Sequence, residues 1–230
     1  FSDFHLSGDP PTKPMDIFGE NWKNHREKIL SAWKETITAG DTVIMAGDIS
    51  WATHLEDALS DLKTLSALPG RKIIVRGNHD YWWNTVSKMK RITDNAFEFI
   101  FNSALSVENI ALAGTRGWIP ETSKKITEED KVIILREQGR LERSLIEAEK
   151  FNCEKIFAIL HYPPFDEQRR PTKMMEIMRS HGVTDCIYGH IHGKQNFNNL
   201  PKELEGIQLH LTSSDYLDFK PLLLTEWNES

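Results

Sequence analysis

The chain has 230 residues, is 39% hydrophobic and carries a formal net charge of −6 at pH 7. This length and composition predict a single domain over residues 1–230 with a sizeable core. The negative charge, without a basic run longer than Arg169-Arg170, argues against a long nucleic acid as partner. The apolar runs have the length of strands, far below the roughly 20 residues of a membrane span, so no membrane association is expected.

The sequence opens at Phe1-Ser2-Asp3-Phe4-His5 without an apolar leader. A strand normally needs about five residues, so we expect the sequence to begin near the end of a first strand whose upstream half lies outside it. The two cysteines, Cys153 and Cys186, each lie in or beside an apolar run. This placement indicates free thiols and favours a reducing, cytoplasmic location.

The first third of the chain predicts helices alternating with strands. In order, we expect a helix over 21–38, a strand over 42–46, a helix whose apolar face carries Leu55, Leu59 and Leu62, and a strand over 71–76. Such alternation predicts parallel pairing through crossover helices.

The rest of the chain changes character. Short strands over 97–101, 105–107 and 110–113, joined by turns, predict a meander. A polar loop over 121–131 and a long charged helix over 131–150 follow. Four further strands are expected over 155–160, 185–188, 207–212 and 222–226.

Five short clusters of histidine, aspartate and asparagine close these apolar stretches: Asp3 with His5, Asp48, Asn78 with His79 and Asp80, His161, and His190 with His192. A strand delivers its last side chains to one edge of a sheet, so segments far apart in sequence can meet there on a rigid support. The set therefore predicts a site for two adjacent metal ions.

Three of these clusters also have structural explanations. Asp3 and His5 point to one side of an extended segment and can share an ion, but an exposed pair of this kind is common. Asp48 follows Gly47 and can bridge two ions or cap the next helix. His161 can be a rigidly held ligand or simply end a strand before two prolines.

The other two clusters are more specific. Asn78 can ligate through its neutral carbonyl oxygen, which leaves His79 free to donate a proton while Asp80 holds its ring, although Gly77-Asn78 also suits a plain turn. His190 and His192, flanked by glycines, present two imidazoles in the H-x-H spacing that often binds metals.

In this order the clusters resemble the pattern of the calcineurin-like metallophosphoesterase superfamily, D-x-H, G-D, G-N-H-D/E, H and G-H-x-H, over residues 3–193. The resemblance implies an α/β protein of four layers, an αββα sandwich of two mixed β-sheets flanked by helices, with the site at the strand tips. It also implies one metal held by Asp3, His5, Asp48 and His192, and a second held by Asp48, Asn78, His161 and His190. Asp48 would bridge them, and His79 would act as the general acid.

Oxygen and nitrogen ligands without thiolate suit Mn²⁺, Fe or Zn²⁺. Two such ions about 3.5–4 Å apart would acidify a bridging water, whose hydroxide attacks phosphorus while His79 protonates the leaving oxygen. We therefore expect a metal-dependent phosphohydrolase acting on a small phosphoester or a phosphoprotein. The alternatives are a phosphodiesterase for cyclic or dinucleotides and a non-catalytic module that uses the metal pocket for binding. The oligomeric state stays open.

Several side candidates surround this pattern. Trp51 stands where purple acid phosphatases carry a metal-binding tyrosine, which excludes that class. Arg116 is a candidate phosphate contact, with a surface salt bridge as the alternative. The aromatic run 81–83 could line a pocket for a base or sugar, but we expect it to be core. Arg169, Arg170 and Lys173 could form a basic rim over the site, but we expect them to be solvated. The histidines outside the motifs are expected to be structural: His25, His54, His181 and His210. The run 213–218 could close the site from the C-terminal side, although its composition does not require this.

Overall fold

The computed structural model describes residues 1–226, which form two β-sheets with helices packed on both outer faces. The smaller sheet contains β1 (Thr42–Met45), β2 (Arg71–Val75) and β3 (Glu98–Ile100), all parallel. The larger sheet contains β4 (Ala104–Val107), β5 (Ile110–Thr115), β6 (Lys155–Leu160), β7 (Asp185–Tyr188), β8 (Glu203–Leu204) and β9 (Ile207–Leu211). Its strand order is β4-β5-β6-β7-β9-β8, with antiparallel pairs at both edges and parallel pairs between.

Alternation along the strands separates the core into three clusters. In β2, Ile73 and Val75 face the larger sheet, whereas Ile74 packs under α1 (His25–Thr36) and α2 (Leu55–Ser66). In the larger sheet, Phe157 and Ile159 of β6 point to the space between the sheets. Their neighbours Ala158 and Leu160 face α4 (Glu128–Glu149) and α5 (Lys173–Ser180). The predicted αββα layering and α/β fold class are confirmed, but only the larger sheet is mixed: the three described strands of the smaller sheet are parallel.

The longest helix, α4, begins at a capping box. The Thr127 hydroxyl accepts the amide N–H of Asp130, and the Asp130 carboxylate accepts the amide N–H of Thr127 at 2.9 Å. The second oxygen of Asp130 accepts the indole N–H of Trp118 at 2.9 Å. These bonds start the helix at Glu128, three residues before the predicted position, and join it to the loop after β5.

Other predicted elements need correction. The helix predicted from residue 21 begins at His25, after a 3₁₀ turn that contains Trp22. The predicted meander is wrong for β3, which pairs in parallel with β2 and leaves only β4 and β5 as a hairpin. Residues 222–226 are not a strand, and Leu222 and Leu223 are exposed there. A short helix, α3 (Val86–Ile92), follows the aromatic run 81–83.

The first residues lie between the two sheets. The amide N–H of Ser2 bonds to Thr212 O at 2.8 Å, and the amide N–H of Ser214 bonds to Ser2 O at 3.1 Å. On the other side, the amide N–H of Leu6 bonds to Ile49 O at 3.0 Å. This segment therefore connects the loop after β1 to the segment after β9. Within residues 1–226, no helix combines the length and the apolarity that crossing a membrane requires.

Candidate metal centre

The parallel strands carry most of the candidate ligands to one edge. Asp48 lies three residues beyond β1, Asn78 lies three residues beyond β2, and His161 directly follows β6. His190 lies two residues beyond β7. The carboxyl ends of neighbouring parallel strands meet at the same edge of a sheet, so Asp48 and Asn78 lie at the edge of the smaller sheet, and His161 and His190 lie at the edge of the larger sheet. The two sheets pack face to face, so these side chains converge, as the sequence predicted.

The backbone at this edge is unusual. Asp3, His5, Asp48 and His190 all have a positive φ, between 48° and 70°, which is uncommon for residues with a Cβ. The predicted regular extension of the D-x-H and H-x-H segments is therefore wrong: their side chains converge through left-handed backbone positions. Such positions persist only where surrounding contacts fix them, as they do at many functional sites.

Two glycines allow the segments to come together. A Cβ at Gly77 would collide with the Asp48 carboxylate, and a Cβ at Gly189 would lie 2.5 Å from Asp3 Oδ2. Real Cβ atoms essentially never approach other atoms so closely. Glycine is therefore required at both positions for the carboxylates to reach the neighbouring loops.

Three of the ligands, Asn78, His161 and His190, form what we call the strand-tip half of the centre. Asn78 Oδ1 lies 2.7 Å from His161 Nε2 and 2.9 Å from His190 Nδ1. The second nitrogen of the His161 ring, Nδ1, lies 2.9 Å from Ala46 O. That contact fixes the ring and leaves Nε2 directed at Asn78 and Asp48.

Asp3, His5 and His192 form what we call the loop half. His192 Nε2 lies 3.0 Å from Asp3 Oδ1 and 3.4 Å from His5 Nε2. Asp3 is held by the Ser2 hydroxyl, which donates to Oδ2 at 2.5 Å, and by the amide N–H of His190, which lies 3.1 Å from the same oxygen. The carboxylate of Asp3 thus also joins the loop half to the strand-tip half.

Asp48 lies between the halves. Its Oδ2 is 3.3 Å from His161 Nε2 and 3.8 Å from His5 Nε2. Donor atoms of Asp3, His5 and His192 lie within 4.8 Å of one another, as do those of Asp3, Asp48 and His161. Convergence of this many oxygen and nitrogen donors in a buried site fits divalent metal ions. The structure thus brings all seven predicted ligands together.

The electrostatics of each half follow from burial and from the two carboxylates. Burial lowers the pKa of His161, but the charge of Asp48 and the hydrogen bond with it outweigh burial and raise the pKa to about 9. Burial also lowers the pKa of His192, but the charge of Asp3 helps to outweigh burial, and the pKa is raised to about 10. Burial dominates at His5 and His190 and lowers their pKa values to about 4 and about 3. Without an ion, protons on His161 and His192 therefore neutralise the carboxylates.

The structure corrects the role predicted for Asp80. This fully buried carboxylate does not hold the His79 ring; its oxygens accept bonds of 2.7–2.9 Å from four N–H groups, those of the amides of Gly77, Asp48 and Ile49 and of the indole of Trp82. Burial, then the charge of Asp48, raises the pKa of Asp80 to about 6. Asp80 therefore joins the loops that carry Asp48 and Asn78.

His79 is positioned by aromatic rings instead. Its ring centroid lies 4.3 Å from that of Trp51, which also stacks on His5 at 4.8 Å with an interplanar angle of 26°. Burial lowers the pKa of His79. The sequence identified position 51 only as the place where a metal-binding tyrosine is missing, and the structure shows that Trp51 packs against both a ligand and the candidate acid.

Asp215 is a site residue that the sequence did not single out, although the run 213–218 around it was a candidate to close the site. Its carboxylate lies 2.8 Å from His192 Nδ1 and accepts the amide N–H of Gly193 at 2.9 Å. A carboxylate behind a ligating histidine fixes the ring and raises its basicity. Asp215 lies 23 positions from His192 in an ordinary polar run, so no spacing pattern indicated the contact.

The side candidates fall outside the ligand cluster. Arg116 lies 3.6 Å from Glu137 rather than in a surface salt bridge, and its guanidinium covers the Trp118 ring. Arg170 and Lys173 form local pairs with acidic neighbours, and Trp82 is core, whereas Tyr81 is exposed. Of the other histidines, His25 contacts His5 O, and His181 and His210 pair with carboxylates outside the site.

Comparison with known proteins agrees with this architecture. The family described as calcineurin-like phosphoesterase matches residues 1–194. A protein of unknown function from Aquifex aeolicus is 20% identical, with a TM-score of 0.52 over 96% of this chain and 92% of that one. The protein TT1561 of Thermus thermophilus is 12% identical, with a TM-score of 0.54 over 76% of this chain and 79% of that one. At these identities the two structures show the fold alone. No curated protein matches the sequence.

Proposed function

Because this chain belongs to the calcineurin-like phosphoesterase family, we propose that it hydrolyses phosphate esters at a dinuclear metal centre. The loop half and Asp48 would hold one ion, and the strand-tip half and Asp48 would hold the other. The observation that carries the proposal is the position of Asp48, whose Oδ2 lies within 4 Å of ring nitrogens from both halves. A carboxylate with this placement has the reach to bridge two ions.

Mn²⁺, Fe or Zn²⁺ would fit the mixed oxygen and nitrogen donors. Two bound divalent ions would supply an acidified water and hold the phosphate oxygens. The residues of the protein would supply the proton for the leaving oxygen. The Asp80 network fixes the loop of His79, and Trp51 limits the positions of its ring. The imidazole lies beside the loop half, with its ring centroid 5.6 Å from that of His5, and belongs to neither half.

We propose that His79 protonates the leaving oxygen. Burial lowers its pKa, so the imidazole needs a nearby negative charge to carry its proton at neutral pH. A bound phosphate supplies this charge, since an anion close to a histidine stabilises the protonated ring. His79 would therefore become an acid only when substrate is present.

The test combines metal content with turnover. The protein loaded with Mn²⁺ should contain close to two ions per chain by elemental analysis and should hydrolyse para-nitrophenyl phosphate. Faster hydrolysis of bis(para-nitrophenyl) phosphate would favour a phosphodiesterase, with cyclic or dinucleotides as the next substrates to assay. If the protein holds both ions and hydrolyses neither ester, the proposed phosphoesterase activity is refuted. That result would favour a binding module that uses the metal pocket.

The substrate we propose is a small phosphoester or a phosphoprotein. The location we propose is the cytoplasm, because Cys186 is a buried free thiol and Cys153 is a free thiol as well. A single domain over residues 1–230 stays a prediction.

A further inference from the structure

Two arginines contact one buried carboxylate beside the metal centre, and the charge of a third arginine acts on the same group. Glu137 of α4 is 0% exposed, and its Oε1 lies 2.5 Å from an Arg140 nitrogen and 3.6 Å from an Arg116 nitrogen. Its other oxygen accepts the Thr115 hydroxyl. Arg76 belongs to the same group, because its charge acts on Arg116. Burial lowers the pKa of Arg116, the charge of Glu137 raises it, and the charges of Arg76 and Arg140 lower it.

The charges in this group do not balance. Arg116 and Arg140 share the carboxylate of Glu137, whose two oxygens are already bonded, and the charge of Asp80 acts on Arg76 more strongly than that of Glu137. Three guanidinium groups thus have two carboxylates near them. Within residues 1–226 the structure records no ion pair for Arg76, and the Nε atoms of Arg76 and Arg116 are buried without a hydrogen-bond partner. An unpaired buried donor is costly, and more so on a charged group. The group therefore has spare donors and excess positive charge.

Two of the arginines, Arg76 and Arg116, directly follow β2 and β5, at the sheet edges that carry the metal ligands. Arg76 precedes Asn78 by two residues, and Arg116 O accepts the amide N–H groups of His161 and Tyr162 at 3.0 Å each. A row of rings connects the two sites: the Arg116 guanidinium covers Trp118, whose ring lies 5.4 Å from that of Tyr162, which in turn lies 4.1 Å from the His190 ring. An anion on these arginines would therefore lie on the side of the strand-tip half, with the rings of Trp118 and Tyr162 between Arg116 and His190.

We propose that Arg76, Arg116 and Arg140 form a second phosphate subsite, so that the substrate carries a second phosphoryl group besides the one at the metal centre. The inference depends on the proposed function for the first phosphate. Arginine suits this role because its planar fork binds phosphate oxygens in pairs and stays charged when partly buried. Glu137 holds the forks of Arg116 and Arg140 in place but leaves most of the positive charge for a ligand.

The test uses phosphonates, whose C–P bonds a phosphoesterase does not cleave. Titration calorimetry with Mn²⁺-loaded protein compares methylphosphonate with methylenediphosphonate and propane-1,3-diphosphonate. We expect at least one diphosphonate to bind about tenfold or more tightly than methylphosphonate. Preference for the methylene compound indicates directly linked phosphates, and preference for the propane compound indicates phosphates separated by a short spacer. Equal affinity for all three ligands would overturn the subsite.

Variants distinguish binding of the second phosphonate by the arginines from its chelation by the metal ions. Arg76→Gln and Arg116→Gln should reduce the ratio of diphosphonate to methylphosphonate affinity to near one. Arg179→Gln, at an arginine 62% exposed on α5, should keep the wild-type ratio. A ratio that survives in both site variants would show that the metals alone bind the second group, and the proposal would fail. Arg116→Lys keeps the charge without the fork and serves if a glutamine variant does not fold.

The phosphonate affinities do not depend on catalysis. Absence of para-nitrophenyl phosphate turnover would refute the proposed function while the affinity ratio still decides the subsite. Turnover with no diphosphonate preference would refute the subsite and leave the proposed function intact.

Discussion

The two halves of the metal centre are built differently although each contributes two histidines. The strand-tip half takes Asn78, His161 and His190 from the ends of β2, β6 and β7, and the backbone carbonyl of Ala46 fixes His161. The loop half takes Asp3 and His5 from the first residues and His192 from the loop after β7. In the loop half, other side chains position the ligands: Asp215 holds His192, and Trp51 stacks on His5.

This difference teaches that a ligand ring at the end of a regular strand, such as His161, can be fixed by a backbone carbonyl, whereas the ligand rings of an irregular segment depend on specific side chains behind them. Substitutions behind the ligands should therefore affect the loop half more than the strand-tip half. Substitutions between the halves should affect both.

The largest effect is expected for Asp48→Ala, which removes the ligand common to both halves. We expect metal content well below two ions per chain and a fall in kcat/KM of about 10³-fold or more, because the several kcal/mol of charge stabilisation by the metals is lost. Elemental analysis and para-nitrophenyl phosphate kinetics measure these changes. Asp57→Ala, at an exposed position of α2, is the control. Two ions retained in Asp48→Ala would show that the halves bind independently.

His79→Ala should come next. We expect kcat to fall by roughly 10²- to 10⁴-fold with unchanged metal content, as for removal of a general acid. The loss should be larger for phenyl phosphate than for para-nitrophenyl phosphate, because the better leaving group needs less protonation. His54→Ala, at an exposed histidine before α2, is the matched control. Equal losses with both esters would assign His79 a positioning role only.

Asp215→Asn tests the support of the loop half. We expect metal affinity to fall about 10- to 100-fold, as for other carboxylates behind ligating histidines. One ion should be lost first when metal is limiting, and the strand-tip half should keep the other. Asp218→Asn, at an exposed position three residues later, should change neither. Simultaneous loss of both ions in Asp215→Asn would contradict the division into halves.

The smallest effect concerns pH. Without an ion, the pKa values of about 9 for His161 and about 10 for His192 keep both rings protonated at pH 7, whereas a metal binds the neutral ring. Metal uptake at pH 7 should therefore release up to about one proton from each half, and affinity should rise between pH 7 and about pH 9. Calorimetry in two buffers of different ionisation enthalpy counts the protons. Binding without proton release would show that the two rings are already neutral.

The sequence predicted the strand-tip half well because each ligand there lies within three residues of the end of an apolar strand. The limits of β6 and β7, and with them the positions of His161 and His190, agree with the structure. The αββα layering was predicted from the resemblance of the motifs to the family. A strand end is a local property, so residues close in sequence are enough to locate it.

The loop half was predicted less completely because its geometry depends on contacts between distant segments. The ligands Asp3 and His5 were identified, but their left-handed backbone was not, since only the surrounding contacts stabilise it. The contact of Asp215 with His192 and the bonds of Asp80 to four N–H groups join separate loops. The strand predicted over 222–226 failed for a related reason: an apolar run becomes a strand only where a partner strand is available.

The segment 1–6 has a consequence for how the loop half folds. Ser2 bonds to residues 212 and 214, and His192 depends on Asp215, so two segments that are far apart in sequence hold each other in place. Contacts over such a separation carry a high cost in chain entropy, so the loop half should form late in folding. A variant truncated before residue 212 should therefore lose the ion of the loop half.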